Sequence, residues 1–343
     1  MQASHPLVAS RDIVVMGASA GGIPPIERVL SALPNDFPAS VLIAIHTAAE
    51  GPRLLSEVIS RMSSLPVAYA VDGDSPRKSH VYVAPPDHHL LLERNLIRVT
   101  AGPRENRHRP AIDPLFRSAA RAYGPRVVAV LFSGLLDDGT AGLKAVARCG
   151  GVTLVQDPGE ARFASMPRNA VENDSPQYVL RVRELADTLI ELVVNGSRQR
   201  TSQDQIRSKL NNEVKIAEID MSAIEEEKAG APSAYVCPEC NGTLWEVREG
   251  ELLRFRCRVG HAYGAESLLA SKNEELEGAL WTALRTLEEK VALHRRLSED
   301  AARKQNPRVA RQFRQTADDM HQQAQTIRHL LLERESPATG TEG

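Results

Sequence analysis

Five short and almost wholly apolar runs constrain the fold most: "DIVVMG", "SVLIAIH", "HVYVAP", "RVVAVLFSG" and "VTLVQ", spread through residues 11 to 195. A strand that is apolar on both faces must be covered on both faces, which is the signature of a parallel sheet between layers of helix. Segments of helical period separate them, "IPPIERVLSAL", "PRLLSEVISRM", "AIDPLFRSAARAYG" and "TAGLKAVARCG", the last stopped by Gly150-Gly151. Shorter strand patterns, "PVAYA", "HLLLE" and "LIRVT", fall in the middle of this region. The alternation predicts a doubly wound, mostly parallel α/β domain over residues 11–195.

Beyond it the character of the chain changes. Residues 196–232 are polar without an apolar period and read as a linker, and residues 233–265 hold three of the four cysteines. Over residues 266–334 apolar side chains recur at gaps of three and four: Leu276, Leu280, Leu284, Leu287 and Val291, then Val309, Phe313, Ala317, Met320, Ala324, Ile327 and Leu331. With Asn306-Pro307 between the two series, this predicts a helical hairpin or coiled coil, with self-association through it as an expectation. Residues 1–10 and 335–343 read as disordered tails.

The cysteines have metal-ligand spacing. Cys237-x2-Cys240-x16-Cys257-x3-His261 is the pattern of a zinc ribbon, with each close pair on a tight turn and four N/S ligands closing a tetrahedron. A closed shell has no place for substrate, so the expected zinc is structural. Cys149, in an apolar stretch, reads as core.

Charge excludes more than it suggests. The 42 basic and 44 acidic residues nearly cancel, which gives no general attraction to a polyanion. Within the cysteine module Arg248, Arg254, Arg256 and Arg258 are offset by Glu239, Glu246, Glu249 and Glu251, so nucleic-acid binding is not expected. No apolar run approaches the ~20 residues of a membrane span. The first residues lack a signal-peptide pattern, so membrane insertion is not expected and a cytoplasmic location is.

The turn after the first strand run, "MGASAGG", raises the question of function. A dinucleotide fingerprint needs glycine where Ser19 stands and an acid where the second strand ends in His46. Both are missing, so no catalytic cofactor is expected. Gly17-Ala18-Ser19-Ala20-Gly21 instead fits G-x-S-x-G, in which a sharp strand-to-helix turn exposes a serine hydroxyl. Possible partners also fall at strand ends: His46 after the second run, and Asp137 and Asp138 after "VVAVLFSGLL". Serine, imidazole and carboxylate would then share one edge of the sheet, as a hydrolytic triad requires. Taken singly, Ser19 and Asp138 could be helix caps and His46 a core histidine. The backbone N–H groups of Ala20 and of Gly134–Leu136 are candidate oxyanion donors.

In order, "VVMGASAGG", "IAIH", "VYVAPPDHHL", "NRHRPAIDPLF", "VVAVLFSGLLDDGTAGL" and "MPRNAV" resemble the catalytic domain of the chemotaxis protein-glutamate methylesterases, the CheB family. The resemblance covers residues 11 to 195. It implies a doubly wound α/β fold and hydrolysis of glutamyl methyl esters on chemoreceptor helices, with deamidation of receptor glutamines as a companion activity. It places the nucleophile on Ser19, the base on His46 and the orienting acid on Asp138, with Asp137 as the runner-up. The chain departs from the family pattern in two ways. Leu135 and Leu136 stand where methionine and glycine are usual, and no receiver domain precedes the first strand, so control by phosphorylation of this chain is not expected. Arg107, Arg109 and Arg168 could face acidic receptor surfaces or serve in salt bridges, and His88 and His89 read as surface or site-wall residues. The alternative is a non-catalytic regulatory or interaction protein on a methylesterase-like scaffold with a zinc ribbon.

Overall fold

The computed structural model describes residues 11–50, 53–174, 176–195, 231–249 and 252–335. The tail expected at 1–10, most of the linker expected at 196–232, and residues 336–343 of the second tail lie outside the described residues. The chain divides after Leu268 into two compact units. The α/β domain and the cysteine module lie in the first, and the helical hairpin in the second.

The α/β domain runs β1 (Ile13–Ala18), α1 (Ile23–Ala32), β2 (Ser40–Ile45), α2 (Leu55–Ser60), β3 (Val67–Tyr69), β4 (His80–Val83), β5 (His89–Glu93), β6 (Leu96–Thr100) and α3 (Ile112–Tyr123). It continues with β7 (Val127–Leu131), α4 (Thr140–Arg148), β8 (Val152–Gln156), α5 (Ser165–Asp174), β9 (Tyr178–Leu180) and α6 (Val182–Asn195). Seven strands pair in the order β3-β4-β2-β1-β7-β8-β9, every pairing parallel. The strand alternation of period two divides the core into two layers. Val14, Met16, Val41, Ile43, Val128 and Val130 face one layer, covered by α1, α2 and α6. Ile13, Val15, Leu42, Ala44, Val127 and Ala129 face the other, covered by α3, α4 and the β5-β6 hairpin. The sequence supplies apolar residues at both parities because both sides are dry. Chain order reverses around β1, whose neighbours are β2 and β7, so the crevice beyond their carboxyl ends is where an open α/β sheet binds ligands.

The cysteine module is a four-stranded antiparallel sheet, β10 (Pro232–Val236), β11 (Thr243–Glu249), β12 (Leu252–Cys257) and β13 (Ala262–Gly264). Its core is small: Cys237, Leu244, Phe255, Cys257, Tyr263 and Leu268. Two helices follow, α7 (Ala265–Arg303) and α8 (Pro307–Glu335). Pro307 takes the first helical position of α8, where its missing N–H costs nothing, and Asn306 Oδ1 accepts the Val309 N–H at 3.4 Å. Leu284, Val291, Ala317, Ala324 and Leu331 of the predicted series are buried, whereas Leu276 is 48% exposed. No helix among the described residues is long and apolar enough to cross a membrane.

Candidate active site

Ser19 follows the last residue of β1. Its N–H donates to Ser133 O (3.0 Å), and its carbonyl accepts the Gly22 N–H (3.1 Å) ahead of α1. Ser133 fixes the same turn from the end of β7: its hydroxyl donates to Ala20 O (2.9 Å) and accepts the Phe163 N–H (3.0 Å). The serine is thus held at the switch point by bonds that its own side chain does not make. His46 follows β2, with its N–H donated back to Ala18 O (3.2 Å).

The structure brings Ser19, His46 and Asp138 together. Ser19 Oγ lies 3.0 Å from His46 Nδ1, and His46 Nε2 lies 2.6 Å from Asp138 Oδ2. With Nε2 against a carboxylate, the ring proton belongs on Nε2, which leaves the Nδ1 lone pair to accept the serine hydroxyl. The imidazole is 5% exposed, and its other face is stacked on His108 with centroids 3.6 Å apart.

Asp138 caps α3 rather than the helix that follows it. Its Oδ2 accepts the Ile112 N–H (2.7 Å), and its Oδ1 accepts the Asp113 N–H (3.1 Å), the Gly139 N–H (3.0 Å) and Asn106 Nδ2 (2.9 Å). Ile112 and Asp113 open α3, so two donors with no partner inside the helix meet a negative charge there. Burial opposes ionisation of Asp138, but the hydrogen bond and charge of His46, with the Ile112 and Asn106 donors, hold the carboxyl well below its usual range. Asp137, the other candidate acid, is engaged elsewhere: it accepts the Ser267 hydroxyl and the Glu266 N–H. Burial and the neighbouring Asp138 charge push Asp113 up to about 7, although Arg117 Nη1 stands 3.8 Å away. Burial, and the charge of His46 when protonated, push His108 down to about 3, so it faces His46 as a neutral ring.

Other expected roles shift. Of the candidate oxyanion donors, the Gly134 N–H is taken by Phe163 O (3.0 Å) and the Leu136 N–H by Ser165 Oγ (3.1 Å). The Ala20 and Leu135 amides have no partner among the described residues. Arg109 serves in a salt bridge, holding Asp87 at 2.8 Å and the Ala101 and Gly102 carbonyls, while Arg168 is exposed. His89, expected at the surface or in the site wall, is fully buried: Nε2 contacts Pro103 O (2.9 Å) and Nδ1 accepts the Ala111 N–H (3.3 Å). Cys149 is in the core. The roles of Asn106, His108 and Asp113 were not visible in the sequence, because loop residues and a helix start carry no periodicity that points inward.

Cys237, Cys240, Cys257 and His261 gather their ligand atoms within 4.8 Å of one another. Cys240 and Cys257 sulfurs are 3.6 Å apart, and His261 Nδ1 lies 3.7 and 3.5 Å from the Cys237 and Cys257 sulfurs. A tetrahedral ion with metal–sulfur bonds near 2.3 Å separates its ligand atoms by about 3.5–3.8 Å, so the cluster fits a metal ion. Two turns shape it, closed by Asn241 N–H to Cys237 O (2.8 Å) and Gly260 N–H to Cys257 O (3.0 Å).

Comparison with known proteins gives consistent matches. A family model described as CheB methylesterase matches residues 14–189. A Leptospira interrogans protein is 35% identical over 190 residues, which span 55% of this chain and 98% of that protein. Protein-glutamate methylesterase/protein-glutamine glutaminase 2 of Pseudomonas aeruginosa is 36% identical over 194 residues, 55% of each chain. The match thus spans nearly all of the first relative and about half of the second. Among solved structures, the crystal structure of the Thermotoga maritima CheB methylesterase catalytic domain superposes with a TM-score of 0.52 at 31% identity, covering 54% of this chain and all of that one.

Proposed function

The chain belongs to the CheB methylesterase family, and we propose that it is a protein-glutamate methylesterase, with protein-glutamine glutaminase activity as a companion, working through Ser19, His46 and Asp138. The observation that carries this reading is the continuous pair of contacts, Ser19 Oγ to His46 Nδ1 at 3.0 Å and His46 Nε2 to Asp138 Oδ2 at 2.6 Å. The names of the relatives supply the substrate class.

In this mechanism His46 Nδ1 takes the Ser19 proton as Oγ attacks the ester carbonyl. Asp138, already ionised and fixed by α3, keeps the ring oriented and stabilises the imidazolium. The Ala20 amide, without a partner among the described residues, is the candidate donor to the oxyanion, and one such donor is typically worth about 2.7–4 kcal/mol. The C–O bond to the methoxy group then breaks, and the imidazolium returns the proton so that methanol leaves. Water, deprotonated at Nδ1, cleaves the acyl-enzyme to a glutamate carboxylate and regenerates Ser19. With a carboxamide in place of the ester, the same steps release ammonia.

The partners on this reading are methylated chemoreceptor helices met in the cytoplasm. The three cysteines and His261 hold zinc in a structural role, since soft sulfur donors with one imidazole suit that ion and the closed shell has no open position. Leucines exposed on α7 and α8 support self-association.

The test is methanol release from a methylated receptor fragment. Ser19→Ala should lower kcat by at least about 10³-fold and abolish labelling by a fluorophosphonate probe. A Ser19→Ala protein with the wild-type rate would overturn the assignment.

A further inference from the structure

The cysteine module is bonded to the loop that grips Asp138. Ala262, the residue after His261, pairs with that loop: its carbonyl accepts the Asn106 N–H (2.8 Å) and its N–H reaches Arg104 O (3.3 Å). Gly264 N–H then donates to Asn106 Oδ1 (2.8 Å). The other end of the same carboxamide donates to Asp138 Oδ1 (2.9 Å) and Asp113 Oδ2 (3.1 Å). Asn106 is 2% exposed, so no water competes for these bonds. Beside it Glu105, which receives Arg117 from α3 at 2.6 Å, also receives Arg254 from β12 at 3.2 Å in a buried cluster.

We propose that Asn106 is a positioning residue that ties the Cys237-Cys240-Cys257-His261 module to Asp138, so that the carboxylate is held in register with His46 only while that module is folded. The proposal deepens the hydrolase reading above and rests on it. Two physical arguments support it. The module's core is too small to fold on apolar burial alone, and in modules of this size metal binding supplies the folding free energy. The link also needs outside support, because Asn106 and Arg107 have φ of +48° and +74°. Such a conformation persists only where its surroundings over-determine it. Here Ala262 and Gly264 provide that determination, one and three residues after the candidate metal ligand His261. Three backbone donors would stay on Asp138 if Asn106 let go, so the expected effect is a loss of alignment, about 10–100-fold in rate, rather than abolition.

The experiment uses the full chain, zinc-loaded and stripped with a chelator, in wild-type, Asn106→Ala and Gly264→Ala forms. It reads kcat and KM on p-nitrophenyl acetate, together with hydrogen exchange of the Ile112 and Asp113 amides, whose N–H groups bond Asp138. Stripping the wild type should lower kcat about 10–100-fold with little change in KM, and speed exchange at both amides. Zinc-loaded Asn106→Ala should already show that loss, and stripping it should add less than about 3-fold. Gly264→Ala puts a Cβ against the Asp137 carboxylate, which should displace the Gly264 N–H from Asn106 and give a loss of the same order. Unchanged kcat and exchange in stripped wild type, or Asn106→Ala and stripping losses that simply multiply, would overturn the coupling. If zinc-loaded wild type neither hydrolyses the ester nor labels at Ser19, the hydrolase reading fails. The exchange arm then still decides whether the module holds Asp138.

Discussion

Asn106 Nδ2 lies between two buried carboxylates, Asp138 at 2.9 Å and Asp113 at 3.1 Å, and the pair cannot share charge equally. Asp138 takes four N–H donors and His46, whereas Asp113 takes the Gly139, Gly142 and Asn106 donors with Arg117 3.8 Å away. Asp113, pushed up to about 7 by burial and by Asp138's charge, holds its proton to higher pH in the folded protein than in the unfolded chain. Its contribution to stability is therefore complete below about pH 4 and is lost as pH rises toward 7, at no more than about 1.4 kcal/mol per pH unit. Asp138 behaves oppositely, and its contribution is lost only as pH falls below about 4. The buried His89 and His108, both pushed down, add stability as pH rises through the ordinary histidine range, so the readout must be a difference. Calorimetry should find that Asp113→Asn gains on wild type in Tm between pH 5 and pH 8; a constant gap would refute the assigned protonation. The convergence of Ser19, His46 and Asp138 was legible in the sequence because each lies in the loop after a strand, where topology alone brings them to one edge. The ring orientation, the His108 stack and the Asn106 bridge were not, because they depend on loop backbone at positive φ.

Among the elements, β1 and α3 meet at Gly17, where close approach leaves no room for a side chain. A Cβ there would lie 2.3 Å from Ile112 Cγ2, on the residue whose N–H holds Asp138. Gly17→Ala should cost about 1–3 kcal/mol by overpacking and move the start of α3 away from Asp138. Denaturant unfolding and kcat should fall together; a stable variant with full activity would contradict the packing. The seven-stranded sheet was largely readable because both parities of each central strand are apolar. The place of β5 and β6 was not. Their composition marks strands, but only the tight Arg94-Asn95 connection, with Asn95 at φ +62°, turns them into a hairpin outside the main sheet. β9 is three residues long and partly exposed, too short for a periodic signal.

On the scale of the whole molecule, the hairpin of α7 and α8 buries mainly small residues, Ala301, Ala310, Ala317 and Ala324, with Leu284 and Leu331. Alanines draw the helices close and leave leucines outside, among them Leu293 and Leu297 at 55% and 38% exposure. Replacing both with lysine should shift the sedimentation of the chain from a dimer or larger species to a monomer. A wild-type chain that stays monomeric at tens of micromolar would rule out self-association.

The three side chains proposed to react belong to loops after three adjacent strands, with sequence separations of 27 from Ser19 to His46 and 92 from His46 to Asp138. A nascent polypeptide emerging from the ribosome therefore carries an inert alcohol until β7 has docked beside β1. On the proposed mechanism, cleavage power arrives late in synthesis, after most of the α/β domain has been made, which would spare neighbouring proteins from a half-built hydrolase.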